Sequence, residues 1–550
     1  MPRKPLGATA PFKALAAPRC GFFDAIRFLE EGSTPSPSME KRILIAAIFS
    51  AVFMTWYAQS VLQWSGDRST SPAPGAAIPV KPPVPVQPKL PTLRPMEERI
   101  TLESPSLRLE IGKTSAAIRS VVLKKFLDSS TRHSLKIQSE FPLLAVQVNE
   151  QLLAWDLKHE APQSAAFEAK DGLGNSYHIS YSIYSNNSNV NILLHEIDHS
   201  NKSSISLLGT WTKADELSDR YNSLELVSMS VDKDTKPRHA TYRGPVKEEK
   251  NVPRGTTTLA LSERYFCQAI RVTNGAGEAT LLPSVNGTIA ARIAMPFSGT
   301  SHENRIATVY FGPRDYFYLK KAGFEGTFPI GMLGQLGLIL LYLLNGIAKV
   351  VRNYGVAVVL FSALVTCVMA PFTMISFRSM KKMQELKPQM DKIMAKHKDN
   401  PKQANQEVFA LYRQHRVSPL SGCLPMLLQL PIFFALFQAI SHYVELRGKG
   451  FLWISDLSLP DRIAKLPFSI PFLGSDVNLL PILMALAMFI QQKSSQQNMP
   501  SSSKTPGMNM LSGPFMSVLF GIMFYQFPSG LVLYWLTNSL ISLVWYRLAK

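Results

Sequence analysis

Long apolar runs dominate the last third of the chain, where polar residues are confined to the connections between them. Apolar blocks cover residues 330–351 and 355–376, start again near Cys423, Leu479 and Leu511, and end with 530–548. A block of about 20 apolar residues has the length at which an α-helix crosses the hydrocarbon core of a bilayer. The pattern therefore predicts a polytopic α-helical membrane protein.

A different period governs residues 97–325. Leu107–Ile111 and Ile179–Ile183 alternate apolar and polar residues, as half-buried strands do. Turn-like clusters of Gly, Asn, Asp and Ser separate such runs, at 171–175 and 185–188 for example. Many short strands of this kind predict an all-β domain built as a sandwich of antiparallel sheets.

The segment before this domain has three parts. Residues 1–38 show no periodicity, and we expect a disordered or misannotated extension with the natural start at Met39. Residues 39–64 contain an apolar run that continues past a weak cleavage-like site at Ala58–Ser60, which favours an uncleaved transmembrane anchor over a signal peptide. Residues 65–96 form a Pro-rich linker.

Charge sets the expected topology. The chain carries a formal charge of +19, and residues 378–416 hold ten Lys/Arg against four acids. Because basic loops stay in the cytoplasm, this segment should lie inside and the β domain, which follows an anchor with a cytoplasmic N-terminus, outside. That arrangement requires residues 326–352 to form an interfacial amphipathic helix, which leaves six spans, five of them within 353–550. Both termini are then cytoplasmic. The sequence shows no nucleic-acid-binding motif that would offer another explanation of the positive charge.

The chain shows no signature of catalysis or of a cofactor. Its four cysteines, Cys20, Cys267, Cys367 and Cys423, lie too far apart for a Cys-based zinc site. His195 and His199 match the pattern H-E-x-x-H, but their context indicates a strand, in which they would lie about 13 Å apart. We therefore expect no metal, no cofactor and no enzymatic activity, and the sequence has no phosphate-binding loop for a nucleotide.

Residues 377–418 predict a helical hairpin. Met383, Leu386, Met390 and Met394 recur at helical spacing, and Tyr412 belongs to a second apolar stripe. Between the two, Asn400 can cap a helix that has Pro401 at its first position. The stripes either pack against each other or present a pliable Met-rich surface to client chains or to the ribosome, and the two roles are compatible.

Several motifs together resemble the YidC/Oxa/Alb family of membrane insertases. Gly422–Phe433, with the sequence GCLPMLLQLPIF, is similar to the family's third-span signature. Residues 527–535 (FPSGLVLYW) resemble the turn into the last span, residues 444–447 with 453–457 resemble a short outer loop, and residues 39–42 (MEKR) resemble the usual start of two-membrane bacterial members. The resemblance runs from Met39 to the C-terminus, strongly over 352–548 and loosely over the β domain.

The resemblance implies a five-helix insertase core with a hydrophilic groove open to the cytoplasm, a periplasmic supersandwich and a place in the bacterial inner membrane. It also implies nascent membrane proteins as clients, with the ribosome, a Sec-type translocon and the lipid bilayer as partners, and no nucleotide hydrolysis. Polar residues in the apolar blocks mark the candidate groove, and the family motif adds the aromatic pair Tyr534 and Trp535 to it. The polar residues are Ser362, Thr366, Gln429, Gln438 and Asn538. Such polar groups either hydrate a groove or hydrogen-bond between helices to hold the bundle together.

One position departs from the family pattern. The family usually carries an arginine where this chain has Thr366, and Arg352 and Arg378 lie about 20 Å away by helical rise. We therefore expect groove hydration and hydrophobic sliding, rather than a buried cation, to drive insertion. Two other functions stay open, a small-solute transporter and a membrane-anchored carbohydrate-binding or enzymatic β domain.

Overall fold

The structure is a computed structural model. It describes residues 97–548 except 129–132, 173, 185–187, 197–203, 214–223, 231–237, 253–254, 274–277, 296–304, 329–333, 398–399, 416, 418–423, 471–472 and 497–513. The predicted extension, anchor and linker over 1–96 lie outside the described residues, as do Gly422, Cys423 and His199.

The described part of the β domain consists of two nine-stranded antiparallel sheets. The first has the order β1-β2-β3-β5-β10-β17-β16-β13 with β4 paired to β3, and comprises β1 Arg99–Glu103, β2 Leu107–Gly112, β3 Ile118–Leu127, β4 Ser134–Gln138, β5 Leu144–Val148, β10 Ile205–Trp211, β13 Lys250–Asn251, β16 Ala279–Val285 and β17 Thr288–Met295. The second has the order β12-β11-β14-β15-β18-β9-β8-β7-β6, and comprises β6 Trp155–Ala161, β7 Ser164–Lys170, β8 Ser176–Ile183, β9 Asn189–Glu196, β11 Glu225–Ser230, β12 Arg238–Arg243, β14 Thr256–Ser262, β15 Phe266–Val272 and β18 Arg305–Pro313.

The core of this domain lies between the two sheets. On β8 the alternate residues Tyr177, Ile179 and Tyr181 are fully buried, because a period of two places them on one face. At Gly209 on β10 an added Cβ would come within 2.9 Å of the Ile270 side chain on β15, so glycine allows the sheets to approach closely. The predicted all-β domain is confirmed, and His195 lies in strand β9 as its context indicated.

The remaining described residues are mainly helical. The helices are α1 Tyr316–Ala322, α2 Gly334–Val351, α3 Tyr354–Glu385, α4 Lys387–Lys396, α5 Pro401–Gln414, α6 Leu424–Ser441, α7 Leu479–Gln496, α8 Pro514–Met523 and α9 Ser529–Leu548. A short hairpin, β19 Ala464–Ile470 and β20 Gly474–Val477, lies in the connection between α6 and α7.

Two helices of the described part, α2 and α3, are long and apolar enough to cross a membrane. One face of α2 is buried along its length through Leu340, Leu341, Leu344 and Ala348, whereas Val350 is 82% exposed. Shorter apolar stretches occupy 428–441, 479–493 and 529–545. The described helices therefore fit a membrane core, while the count of six spans and the interfacial position of α2 stay predictions.

Helix α3 continues without a break into the predicted hairpin. The sequence places a boundary at residue 377, but the helix runs on to Glu385 because Arg378–Glu385 contains neither Gly nor Pro. A new helix starts only at Lys387, with Pro388 in its first turn. The next helix, α5, begins as predicted, since the Asn400 side chain accepts a hydrogen bond from the Gln403 N–H and Pro401 follows it.

Candidate functional site

A seam of polar groups joins α3 to α9. The fully buried Ser362 hydroxyl donates to the Tyr534 carbonyl oxygen at 2.8 Å. The Thr366 hydroxyl lies 2.7 Å from the Ser362 carbonyl oxygen and 3.0 Å from Asn538 Oδ1, and its one proton serves one of these acceptors at a time. Residues four apart share a helix face, which is why Ser362 meets α9 beside Thr366 and why Tyr534 and Asn538 both face α3.

The third helix of the site is α6, which reaches the same tyrosine. Gln429 Nε2 donates to the Tyr534 hydroxyl. Tyr534 is fully buried. Because its side chain is hydrogen-bonded to α6 and its backbone carbonyl to α3, it links the two helices. Four of the five predicted polar groove residues, together with Tyr534, thus form one connected cluster between α3, α6 and α9.

The fifth polar residue, Gln438, lies outside this cluster. It follows Gln429 by nine residues, which places it about 13 Å along the axis of α6 and on the opposite face of the helix. Its backbone oxygen accepts the contact from His442 Nδ1 at 3.1 Å, one turn further along the chain. Helical periodicity alone separates the two glutamines, although both lie in the same apolar block.

Trp535 belongs to a neighbouring aromatic cluster. Its ring centroid lies 5.0 Å from that of Phe433 on α6, 5.8 Å from that of Phe520 on α8, and 5.3 Å from that of Phe524, which directly follows α8. Trp535 is 8% exposed, so the cluster forms a packed apolar wall next to the polar seam. The adjacent residues Tyr534 and Trp535 therefore face different surroundings, one polar and one apolar.

The outward faces of the same helices are apolar and exposed. On α3 the exposed residues recur at intervals of four or seven, as expected for one stripe of a helix. Large exposed apolar side chains occur at Val356, Leu360, Leu364, Val368 and Ile375 on α3, Ile482, Leu486, Phe489 and Ile490 on α7, Val518, Leu519 and Ile522 on α8, and Leu540 and Val544 on α9. Such stripes suit contact with lipid rather than with water.

The hairpin residues mostly pack on each other. Leu386 and Met390 form a buried cluster with Leu411 and Val417, against which Met383 and Tyr412 are partly buried. The Tyr412 hydroxyl donates to the Met390 sulfur at 2.8 Å. Met394 is partly buried outside this cluster. Most of the predicted Met stripe therefore fills the interior of the hairpin, and Phe409, 55% exposed, is the large apolar side chain on the surface of α5.

A junction between the β domain and the helices was not predicted from the sequence. Arg264, between β14 and β15, is 4% exposed and donates from Nε to the carbonyl oxygen of Ser441, the last residue of α6, at 2.8 Å. Its second donor reaches the Ser458 carbonyl oxygen at 3.3 Å. A cation at a helix C-terminus is favourable because the carbonyl groups there carry partial negative charge.

The loop that contains Ser458, between α6 and α7, also contacts α9. The N–H groups of Ser529 and Gly530, at the start of α9, donate to the carbonyl oxygens of Leu459 and Leu457 at 2.9 Å and 2.8 Å. Arg264 therefore connects the end of α6 with the start of α9, the two helices that meet at Tyr534. The charged pair Glu263–Arg264 within a run of buried strand residues is the signal in the sequence, but nothing local identifies its distant partners.

A second set of contacts caps α7. Asp461 Oδ2 accepts from the N–H groups of Leu479 and Leu480 at 2.9 Å and 2.8 Å, and from Trp453 Nε1 at 3.3 Å. The Asn478 side chain donates to the Tyr525 carbonyl oxygen at 2.7 Å. Because the capping carboxylate lies 18 residues before the helix it caps, the local sequence rules for helix ends do not reveal it.

Comparisons with known proteins find similarity to membrane proteins, most of it over the helical part of the chain. The family model described as "60Kd inner membrane protein" matches residues 346–549. A "Membrane protein insertase YidC" from Endomicrobium trichonymphae is 41% identical over 238 residues, which is 43% of this chain and 44% of the relative. The protein of the same name from Pelobacter propionicus is 37% identical and aligned over 52% of its length, so the chain spans about half the length of these relatives.

Two further similarities extend over more of the chain. A "Membrane protein insertase YidC" from Prosthecochloris aestuarii is 29% identical over 505 residues, which is 82% of each chain. A crystal structure titled "Active YidC insertase crystal structure with the first transmembrane domain resolved" is 20% identical and covers 82% of this chain and 93% of its own, with a TM-score of 0.36.

Proposed function

Since the chain belongs to the YidC/Oxa/Alb insertase family, we propose that it inserts and folds client proteins in the bacterial inner membrane without nucleotide hydrolysis. The site of this activity is the polar seam between α3, α6 and α9, which acts as a hydrophilic groove for the polar segment of a client. The protein acts either alone or beside a Sec-type translocon.

The observation that carries the proposal is the polar seam itself. Ser362, Thr366, Gln429 and Asn538 gather around the buried Tyr534 inside helices whose outward faces are apolar. Polar groups within a membrane are costly unless they pair or meet water, so such a cluster marks a polar path. The apolar stripes outside the seam give the hydrophobic segment of the client a surface along which to slide.

The free energy needed to open the seam is small. Hydrogen bonds between membrane helices are worth about 0.6 kcal/mol on average, since the separated groups find other partners. The Thr366 hydroxyl can therefore leave Asn538 for a client group or a water molecule at small net cost. A closed seam, hydrogen-bonded between helices, and an open seam that admits a client are then two states of the same residues.

The proposed topology has six spans with both termini in the cytoplasm. Five are the helices α3 and α6–α9 with their flanking residues, and the sixth is the anchor over 39–64. The basic segment 378–416 then lies inside, and the β domain lies in the periplasm. Helix α2 lies along the outer interface, with the exposed Val350 and Ile339 toward lipid and its buried face on the core.

The hairpin of α4 and α5 is the proposed docking element for the ribosome or an emerging client. It lies in the segment with ten basic residues and four acids, and ribosomal RNA attracts such charge. The cluster of Leu386, Met390 and Leu411 keeps the hairpin stiff, while the exposed Phe409 offers an apolar contact.

Thr366 sets the proposed client preference. A hydroxyl at this position offers no fixed charge, so acidic and neutral client tails should enter with similar efficiency. The variant Thr366→Arg places a guanidinium beside two acceptors, the Ser362 carbonyl and Asn538 Oδ1. We expect it to improve the insertion of acidic-tailed clients alone, whereas loss of all insertion would count against a groove that works without charge.

Reconstitution tests the function. A protein with its four cysteines replaced by alanine and a single cysteine at Thr366→Cys is folded, purified and placed in protein-free liposomes. A bulky thiol reagent then blocks the seam after folding is complete. Val368→Cys, two residues away at a position that is 64% exposed, receives the same reagent as a matched control.

The readout is protease protection of a single-span client without ATP or Sec components. We expect protection above that in empty liposomes, lost when position 366 is blocked and kept when position 368 is blocked. Equal protection after either block would exclude the seam as the client path. No protection in the unblocked and folded protein would exclude autonomous insertion.

A further inference from the structure

A cavity of about 420 Å³ lies where the β domain meets the outer loop of the helical core. Its wall includes the end of strand β3, residues 125–128, and parts of the loop between α6 and α7, residues 444–462. The volume falls within the range of about 300–1,000 Å³ usual for small-molecule sites. Neither the proposed client groove nor the hairpin includes it.

Both signs of charge line this cavity. Four basic side chains, those of Lys125, Arg447, Lys449 and Arg462, face three carboxylates. The ammonium groups of Lys125 and Lys449 have no hydrogen-bond or ion-pair partner among the described residues. A site for a plain anion would gain from an excess of positive charge, whereas near balance suits a ligand that carries both signs.

Two of the other charged groups, Arg447 and Glu445, hold the walls together. Arg447 donates to the Leu127 carbonyl oxygen at 2.6 Å and lies over the Phe266 ring, with 5.4 Å from its guanidinium carbon to the ring centroid. Glu445 accepts from the Tyr318 hydroxyl at 2.8 Å. Because these contacts join the β domain to the loop, the cavity has fixed walls.

The cavity lies level with the outer ends of two helices. Val444, in its wall, follows the last residue of α6 by three positions. The Arg462 N–H donates to Asn478 Oδ1 at 3.0 Å, and Asn478 directly precedes α7. In the proposed topology these helix ends lie at the periplasmic surface of the inner membrane, where phospholipid headgroups are found.

We propose that this cavity binds the headgroup of a membrane aminophospholipid, in which a phosphodiester anion carries a primary amine two carbons away. Lys125 and Lys449 bind the phosphate, and the carboxylate of Asp456 binds the ammonium group. The Leu127 side chain, 52% exposed at the rim, contacts the start of the acyl chains. The location at the membrane surface rests on the proposed topology, but headgroup recognition does not.

Bound lipid would add a contact that bridges the β domain and the core. Strand β3 provides Lys125 and the outer loop provides Lys449, so one phosphate would hold the two parts together. Charge-assisted hydrogen bonds of this kind are about twice as strong as neutral ones.

Titration of the full chain in detergent tests the proposal. The probes are dihexanoyl phosphatidylethanolamine below its micelle concentration, dihexanoyl phosphatidylglycerol, glycerophosphoethanolamine and inorganic phosphate, each followed by calorimetry. We expect saturable binding of the phosphatidylethanolamine, weakened about tenfold or more in a Lys125→Gln/Lys449→Gln double variant, which corresponds to 1.4 kcal/mol or more. The double variant Lys170→Gln/Lys213→Gln, with the same charge change at exposed sites, should bind like the wild type.

A second variant isolates the amine. Asp456 Oδ1 accepts from the Ser458 N–H at 2.8 Å, and Asp456→Asn keeps that acceptor while removing the charge. It should weaken phosphatidylethanolamine binding about tenfold and leave phosphatidylglycerol binding unchanged.

Three outcomes would overturn the proposal. The first is phosphatidylglycerol or inorganic phosphate binding as tightly as phosphatidylethanolamine, which would make the cavity a simple anion site. The second is binding of glycerophosphoethanolamine without the acylated compound, which would assign it to a soluble headgroup. The third is no saturable binding to the wild type. None of these affects the liposome insertion assay, so failure here is separable from failure of the proposed function.

Discussion

The variant Arg264→Met tests how the β domain holds the helical core at the end of α6. Methionine replaces the unbranched stem of the arginine but donates no hydrogen bonds, so the carbonyl oxygens of Ser441 and Ser458 lose their shared donor. Hydrogen bonds to a charged group contribute about 1.5–3 kcal/mol each, and the one to Ser458, at 3.3 Å, belongs at the low end of that range.

Part of this loss is offset. A guanidinium that is 4% exposed has given up its hydration, and the desolvation free energy recovered on removing it is smaller than the loss of the two hydrogen bonds. We therefore expect a net loss of about 2 kcal/mol at the junction, or roughly 30-fold in the local opening equilibrium. The effect should be confined to the end of α6 and the loop up to Leu459, because these segments carry the two acceptors.

Hydrogen exchange with mass spectrometry on the full chain in detergent measures this opening. Peptides over 441–459 should exchange roughly 30-fold faster in Arg264→Met, with no change in peptides from the α4–α5 hairpin. Arg264→Lys should fall between, since an ammonium group on a different stem cannot reproduce the guanidinium geometry at both carbonyls. Arg108→Met removes an exposed pair with Glu103 and should have no effect there. Unchanged exchange in Arg264→Met would refute the reasoning.

Three further predictions concern separate parts of the chain. Leu411→Ala should destabilise the hairpin by about 2–4 kcal/mol, seen as faster proteolysis between α4 and α5, while Phe409→Ala, at an exposed position, should not; equal sensitivity would contradict the packed cluster. Gly337→Leu should displace α2 from α6, because a Cβ there would lie 2.9 Å from the Ala435 carbonyl oxygen, and unchanged cysteine crosslinking between the two helices would contradict that contact. Burial raises the pKa of Asp315 from 3.8 to about 7, so the native state binds a proton that the unfolded state has lost, and stability should fall as pH rises between those values. Asp315→Asn keeps an acceptor for the helix α1 N-terminus and should abolish this trend in urea midpoints measured at pH 4.5 and 8; a persisting trend would point to another group.

Local patterns in the sequence predict elements and their ends well. Period-two alternation identified strands such as β8, and the Asn400-Pro401 pair marked the start of α5. The apolar block beginning at Leu479 coincides with the start of α7. Each of these features depends on residues that are neighbours in the chain, so the sequence displays the whole cause.

Contacts between distant residues account for the rest. Arg264 meets Ser441 and Ser458 only because the β domain packs onto the end of α6 and the loop that follows it, and no local rule links positions almost 200 residues apart. Polarity alone grouped Gln429 with Gln438, whereas the helical period places them on opposite faces. Polar residues in an apolar block thus predict that a polar site exists, but only their helix faces and partners define it.

The measurement that tests the central claim most directly is photocrosslinking of an arrested client during insertion. A photoreactive amino acid is placed at Thr366 or Gln429 in the seam, and at Val368 or Val544 on the exposed apolar stripes. The account predicts that the seam positions capture the polar segment of the client, whereas the stripe positions capture its apolar segment or lipid. Capture of the polar segment equally from all four positions, or from the stripes alone, would contradict passage through the seam.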